Sequence, residues 1–254
     1  MVRSGSTLQY NIVRNLIISK NAGQAVGRIA DHHNHIQRNI SKWKDANEYY
    51  LMRSHYIQPW TENLLMLRRK RLCYIYRDIR DVAVSLKHIS KQKRIRQELF
   101  RIKNIVPIDY LKRMVLTYYR VKEFKEKGYE VLVQQYEAVV KNLPDAISEV
   151  AEFLDLNVCD HEIEFVNHEC SLEKATSITK QLAIGPKSKL CSILGLLSAR
   201  FRFAAERDEQ SLLSYNHISK NRGATGVWRM GLTDKEIEAI LHEFGDWLCE
   251  TGYM

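Results

Sequence analysis

The sequence predicts an α/β domain with a doubly wound parallel sheet flanked by helices. Three observations carry this. Short apolar runs alternate along the chain with stretches of helical periodicity. A turn of small hydroxyl residues, Arg3-Ser4-Gly5-Ser6-Thr7, runs straight into an apolar helical stretch. A second junction ends the apolar run Leu72–Tyr76 on Arg77 and places Ser85 eight residues later on the next helix.

The elements follow in order. Thr7 leads into Leu8, Ile12, Val13, Leu16 and Ile17, which share one helical face, so a helix is expected over residues 8–18. Residues 49–52, 72–76 and 129–133 are short apolar runs of the kind a parallel sheet buries on both faces. Pro107 opens a helix carrying Leu111, Val115, Tyr118, Val121 and Phe124, with Gly128 as its stop. Pro144 starts another with Ile147, Val150, Ala151, Phe153 and Leu154, and residues 234–248 form the last. No internal repeat, low-complexity tract or Pro/Gly linker interrupts this pattern, so residues 1–254 are expected to form one domain. One feature departs from it. A phosphate-binding turn in such a sheet is normally fed by a central buried strand, yet only Met1 and Val2 precede Arg3. The expectation is a chain lacking that first strand through truncation or a start set downstream of the natural one, because an unfilled central slot exposes two strand edges.

Composition narrows the function classes. The 254 residues suffice for a large α/β core. The longest mostly apolar stretches, around residues 193–197, fall short of the ~20 residues a membrane-spanning helix needs. No secretory leader is visible at the N-terminus. The five cysteines, Cys73, Cys159, Cys170, Cys191 and Cys249, are odd in number, widely spaced and form no C-x-x-C pair, which fits a reducing, cytoplasmic compartment. Thirty-nine Lys and Arg against 30 Asp and Glu give a formal charge of +9, favouring an anionic partner: nucleotide, nucleic acid, acidic lipid or acidic polymer. The basic runs Arg68-Arg69-Lys70-Arg71 and residues 91–96 adjoin apolar helical positions and read as solvated faces.

The two junctions look like halves of one nucleotide-phosphate site. At the first, glycine lets the backbone approach an anion, the hydroxyls donate hydrogen bonds, and the helix N-terminus contributes partial positive charge. At the second, an arginine at a strand end and a serine on the following helix supply a cation and a hydroxyl to a second anion.

On these residues the chain resembles a sulfotransferase that uses 3′-phosphoadenosine 5′-phosphosulfate, with the P-loop-like architecture of that family, and the likeness covers most of its length. The turn Arg3 to Thr7 is similar to the family's 5′-phosphosulfate loop. The resemblance implies that Arg3 contacts the sulfuryl group and bridging oxygen while Ser4, Gly5, Ser6 and Thr7 hold the 5′-phosphate. Tyr76-Arg77 through Ser85 resembles the 3′-phosphate motif, gripped by Arg77 and Ser85. Tyr136-Glu137 resembles the family's Tyr-Glu-Asp turn, with Tyr136 near the adenine and Ala138 in place of the expected acid. Asn221-Arg222-Gly223-Ala224-Thr225-Gly226-Val227-Trp228 is similar to the basic-Gly-x-x-Gly-x-Trp segment that closes over the 3′-phosphate through Arg222 and Gly223. Met52-Arg53-Ser54-His55 resembles Lys-Ser-His, which implies His55 as general base on the acceptor and Arg53 as charge stabiliser. A histidine suits that role because its unperturbed pKa of about 6.5 lets it accept a proton near neutrality. The implied donor is 3′-phosphoadenosine 5′-phosphosulfate and the product adenosine 3′,5′-bisphosphate, with no metal and with a small-molecule or glycan acceptor.

Other readings were weighed on the same residues. A P-loop kinase or NTPase needs G-x-x-x-x-G-K-[ST], and Gly5 is not part of such a run. A nucleic-acid-binding protein explains the charge but not the Arg77-to-Ser85 spacing. A relative that binds the nucleotide without catalysis stays open, with His55 as the discriminating residue. Asp31-His32-His33-Asn34-His35 reads as a polar surface segment rather than a metal site. Arg229, Thr233, Asp234 and Glu238 have the spacing of a dimer motif, but Thr233 with Glu236 reads better as a helix capping box. Residues 187–203 read as a packed amphipathic helix, with membrane contact or an acceptor lid as alternatives. The acceptor pocket is expected from residues 30–60 and 157–215; the sequence does not define the acceptor or the oligomeric state.

Overall fold

The computed structural model describes residues 3–28, 47–54, 57, 59–66, 70–92, 106, 108–184, 211–213 and 221–254. The first helix, α1, spans Ser6–Ser19 and buries Ile12, Leu16 and Ile17 completely. Each such side chain contributes about 1.5–3 kcal/mol relative to exposure. Strand β1 (Gly23–Arg28) pairs in parallel with β2 (Tyr49–Arg53), and β3 (Leu72–Tyr76) pairs in parallel with β4 (Val131–Gln135). The described strands therefore form two two-stranded sheets, and α1 packs against β1, β2 and β3. No described strand precedes α1.

The doubly wound layering is visible in β3 and β4, whose successive side chains enter opposite cores. Tyr74 and Val131 join one core with α3 (Ile79–Gln92), α4 (Ile108–Glu126) and the C-terminal helix, where Val82, Leu111, Met114, Ile240, Trp247 and Leu248 meet. Ile75 and Leu132 join the other, with Ile12, Leu16 and Ile17 of α1 and residues of α5 (Tyr136–Lys141), α6 (Leu143–Phe153) and α7 (Asp160–Glu169).

Several boundaries differ from expectation for identifiable reasons. β4 starts at Val131, not at residue 129, because α4 ends in a Schellman motif: the Gly128 N–H donates to Lys125 O (3.0 Å) and the Tyr129 N–H to Phe124 O (3.1 Å). Strand β1 was not expected, because Gly-Gln-Ala-Val-Gly-Arg has too little apolar surface to register as a strand. Of the two regions expected to wall the acceptor pocket, residues 30–60 hold β2 and the start of the helix Pro59–Leu65 among their described residues, and residues 157–215 hold α7 and α8 (Leu172–Ile184). Residues 187–203 and the histidine-rich 31–35 lie outside the described residues.

Helix α2 (Pro59–Leu65) follows β2, α9 (Trp228–Gly231) is a single turn, and α10 (Asp234–Glu250) closes the fold. The expected capping box forms at α10. Thr233 Oγ1 accepts from the Glu236 N–H (3.4 Å), and Glu236 Oε2 accepts from the Thr233 N–H (2.8 Å). Glu236 also pairs with Lys87 on α3 at 2.7 Å, which seats α10 beside the helix that carries Ser85. Among the described residues no helix is long and apolar enough to cross a membrane.

Candidate nucleotide site

The turn before α1 is held from three sides. Ser4 is fully buried and its Oγ donates to the Ile75 carbonyl (2.9 Å), fastening the turn to β3. Gly5 has φ 89°, a left-handed conformation that L side chains resist, and a Cβ there would stand 2.4 Å from Tyr136 Cδ2. Ser6 Oγ accepts from Arg53 Nη2 (3.0 Å), bringing the end of β2 to the helix N-terminus. No acidic residue occupies the first turn of α1, so its amide dipoles meet no neutralising side chain there. Thr7 lies in that same turn, half-buried. Gly5→Ala is expected to lower stability by about 1–3 kcal/mol, since both the backbone strain and the clash with a buried ring must be relieved. Thermal unfolding checks this, and an unchanged melt contradicts the packing described.

The second junction meets the first. Arg3 Nε donates to Ser85 Oγ (2.8 Å), and the neighbouring Arg77, after burial itself, pushes the Arg3 guanidinium below the ordinary arginine range. A half-buried and a buried guanidinium group and a hydroxyl thus converge beside a helix N-terminus, an arrangement suited to anionic oxygens. The Arg77 guanidinium lies over the Tyr136 ring at 4.5 Å, and Tyr136 Oη donates to the Gly223 carbonyl (2.9 Å). Arg77 Nη2 donates to the carbonyls of Ala224 (2.6 Å) and Gly223 (3.4 Å) and lies 3.3 Å from Asp81 Oδ2. Arg77 is only 7% exposed, and its Nε is buried without a hydrogen-bond partner. A buried N–H of a charged group is costly to leave unmet, and a phosphate oxygen is a natural partner for it.

The structure thus brings Arg3 to Ser85, Arg53 to Ser6, and Arg77 and Tyr136 to Gly223, all around the turn that holds Ser4 and Gly5. Arg222 is adjacent to Gly223 in sequence but exposed, with φ 50°. His55 lies outside the described residues.

Supporting residues were not anticipated from sequence. Asp78 caps α3, accepting from the Arg80 N–H (2.9 Å), and receives the Arg80 side chain through Nε and Nη2. Arg80 also stacks on Trp228 at 4.0 Å and donates to the Tyr253 carbonyl (3.0 Å). Glu137 accepts from the Asp78 N–H (3.2 Å) and from Tyr253 Oη (2.5 Å). The i to i+4 spacing from Arg77 through Asp81 to Ser85 was the one legible signal, since it sets all three on one side of α3 and its approach.

Burial raises the Glu137 carboxyl above the usual glutamate range, although its hydrogen bonds oppose the shift. A group that holds its proton more tightly folded than unfolded contributes stability that is full below ~4.3 and lost as pH rises through its folded value. Glu137→Gln is therefore expected to gain thermal stability relative to the native chain as pH goes from about 4 to 7. A difference in melting temperature that does not change with pH contradicts this.

A family model described as "Sulfotransferase domain" matches residues 3–184, and the chain belongs to that family. No curated protein matches the sequence. Among solved structures, mouse sulfotransferase SULT7A1 complexed with PAP is similar, with a TM-score of 0.62 at 15% identity over 98% of this chain and 81% of that one. Retinol dehydratase with androsterone and inactive cofactor PAP gives 0.55 at 17% identity, over 97% of this chain and 78% of that one. Retinol dehydratase with retinol and PAP gives 0.55 at 16% identity, over 98% and 79%. These likenesses establish a shared fold. Among the described residues there is no cluster of His, Cys, Asp or Glu suited to a metal ion.

Proposed function

We propose that this chain transfers a sulfuryl group from 3′-phosphoadenosine 5′-phosphosulfate to an acceptor hydroxyl or amine. The observation that carries the reading is the meeting of Arg3, Arg77 and Ser85 beside the N-terminus of α1. The unpartnered Arg77 Nε fits an anionic nucleotide, as do the small residues at the turn.

In this reading Arg77 and Ser85 hold the 3′-phosphate, with Arg222 and Gly223 closing over it. Ser4, Gly5, Ser6 and Thr7 hold the 5′-phosphate, and Tyr136 borders the adenine. The donor supplies an activated sulfur: as the acceptor atom bonds to it, the S–O bond to the 5′-phosphate breaks and the electron pair leaves on the phosphate oxygen. His55 takes the acceptor's proton. Arg3 and Arg53 stabilise the charge that develops on the sulfuryl and leaving oxygens, without a metal. The neighbours named with retinol and androsterone support a small-molecule acceptor, and a glycan acceptor belongs to the same class of reaction. The reading takes the 254 residues as one domain acting in the cytoplasm and not on nucleic acid.

The test is release of adenosine 3′,5′-bisphosphate from the donor across a panel of phenols, alcohols, amines and sugars. His55→Ala is expected to slow turnover by roughly 100- to 10,000-fold while leaving nucleotide affinity intact. Undiminished turnover by that variant contradicts the assigned base.

A further inference from the structure

We propose that Asp81 is a positioning residue that ties residues 223–228 to Arg77, so that seating the nucleotide and closing that segment become one event. The inference rests on the nucleotide reading above. Asp81 is 1% exposed and lies between Arg77 and the backbone of residues 226–228, touching both. Its Oδ2 accepts from the Gly226 N–H (2.8 Å) and lies 3.3 Å from Arg77 Nη2, while its Oδ1 accepts from the Trp228 N–H (2.9 Å). The same Arg77 Nη2 donates to the Ala224 carbonyl at 2.6 Å. One carboxylate and one guanidinium therefore grip the segment from both ends of its turn, the acid by its N–H groups and the base by its carbonyls. This engages Nη2 on the protein and leaves the buried Nε for a ligand oxygen.

Two effects of Asp81→Asn oppose each other, and their sign decides between them. By Coulomb's law alone, removing a negative charge beside Arg77 leaves the site more positive and tightens binding of an anion. If Asp81 acts by positioning, the amide loses at least one backbone N–H and no longer fixes Arg77, and binding weakens by roughly 10- to 100-fold. In an Arg77→Lys background, where the fork geometry is already gone, Asp81→Asn is expected to add less than about threefold.

The experiment is calorimetric titration of adenosine 3′,5′-bisphosphate into the full chain and these variants, joined to tryptic cleavage after the exposed Arg222 and Arg229. Nucleotide is expected to slow that cleavage in the native chain and not in Asp81→Asn. If the native chain binds and Asp81→Asn binds as tightly or more tightly, the positioning role is overturned while the nucleotide reading stands. If the native chain does not bind, the nucleotide reading itself falls. Should Asp81→Asn fail to fold, Gly226→Ala decides. At φ 71° any side chain strains the backbone whose amide Asp81 holds, without removing a buried charge, while the exposed Arg229 end 2.8 Å from the new Cβ can move aside. Weakened binding by that variant supports the role, and unchanged binding overturns it.

Discussion

Arg77→Ala is expected to weaken binding of adenosine 3′,5′-bisphosphate by about 1000-fold, or roughly 4 kcal/mol. Three losses add in one direction. The variant removes a buried cation whose Nε has no protein partner, and with it the ligand's charge-assisted hydrogen bonds. It uncovers the Tyr136 ring, over which the guanidinium lies at 4.5 Å. It also releases the Ala224 carbonyl and leaves that of Gly223 to Tyr136 alone, loosening residues 223–228. The variant also leaves the buried Asp81 with its two backbone donors alone, so a loss of stability accompanies the loss of affinity, and binding is compared on folded protein. An affinity within about threefold of the native value contradicts the placement of the anion at Arg77.

Arg80→Ala is expected to act on the other quantity, lowering stability by about 3–5 kcal/mol. Arg80 and Asp78 are both buried and joined through Nε and Nη2, with the shortest contact at 2.8 Å. Removing the base leaves a buried carboxylate with backbone support alone, and breaking a buried pair from one side costs far more than replacing both members. The stack on Trp228 and the bond to the Tyr253 carbonyl are lost with it. For a chain of this size the melting temperature is expected to fall by roughly 10 °C. The double variant Asp78→Asn with Arg80→Ala should recover part of that loss, and thermal unfolding of the three chains checks both statements. Equal melts for Arg80→Ala and the native chain contradict the pair as described. Both arginines are held by their own protein, and of the two only Arg77 keeps a buried Nε without a hydrogen-bond partner.

What the sequence made legible was local. The helix from Ser6, the strand Leu72–Tyr76 and the helix from Asp234 announce themselves through periodicity, a cap or an apolar run. The residues that meet around the turn before α1 were singled out for the same reason, because a turn of small hydroxyl residues and an arginine eight residues ahead of a serine are short-range patterns. The partnerships were not. Nothing near Glu137 in sequence indicates Tyr253, and nothing near Asp81 indicates Gly226 or Trp228, since these pairs meet only after the C-terminal helix has docked on α3. β1 escaped because its register with β2 supplies what its own side chains lack: its backbone pairs along Tyr49–Arg53 while Gly23 and Gly27 carry no side chain to mark a strand. Tyr129 misled in the opposite direction, its apolar ring suggesting a strand while its backbone N–H closes a helix.

In the proposed function the two junctions bind one nucleotide bearing phosphates at both ends. The most direct measurement is calorimetric titration of the full chain, in chelator, with adenosine 3′,5′-bisphosphate and with adenosine 5′-monophosphate. Metal-free binding of the bisphosphate is expected, with affinity for the monophosphate lower by at least about 100-fold, because only the first would reach both Arg77 and the turn before α1. Equal affinity for the two, or no binding of either by folded protein, would contradict the proposed function.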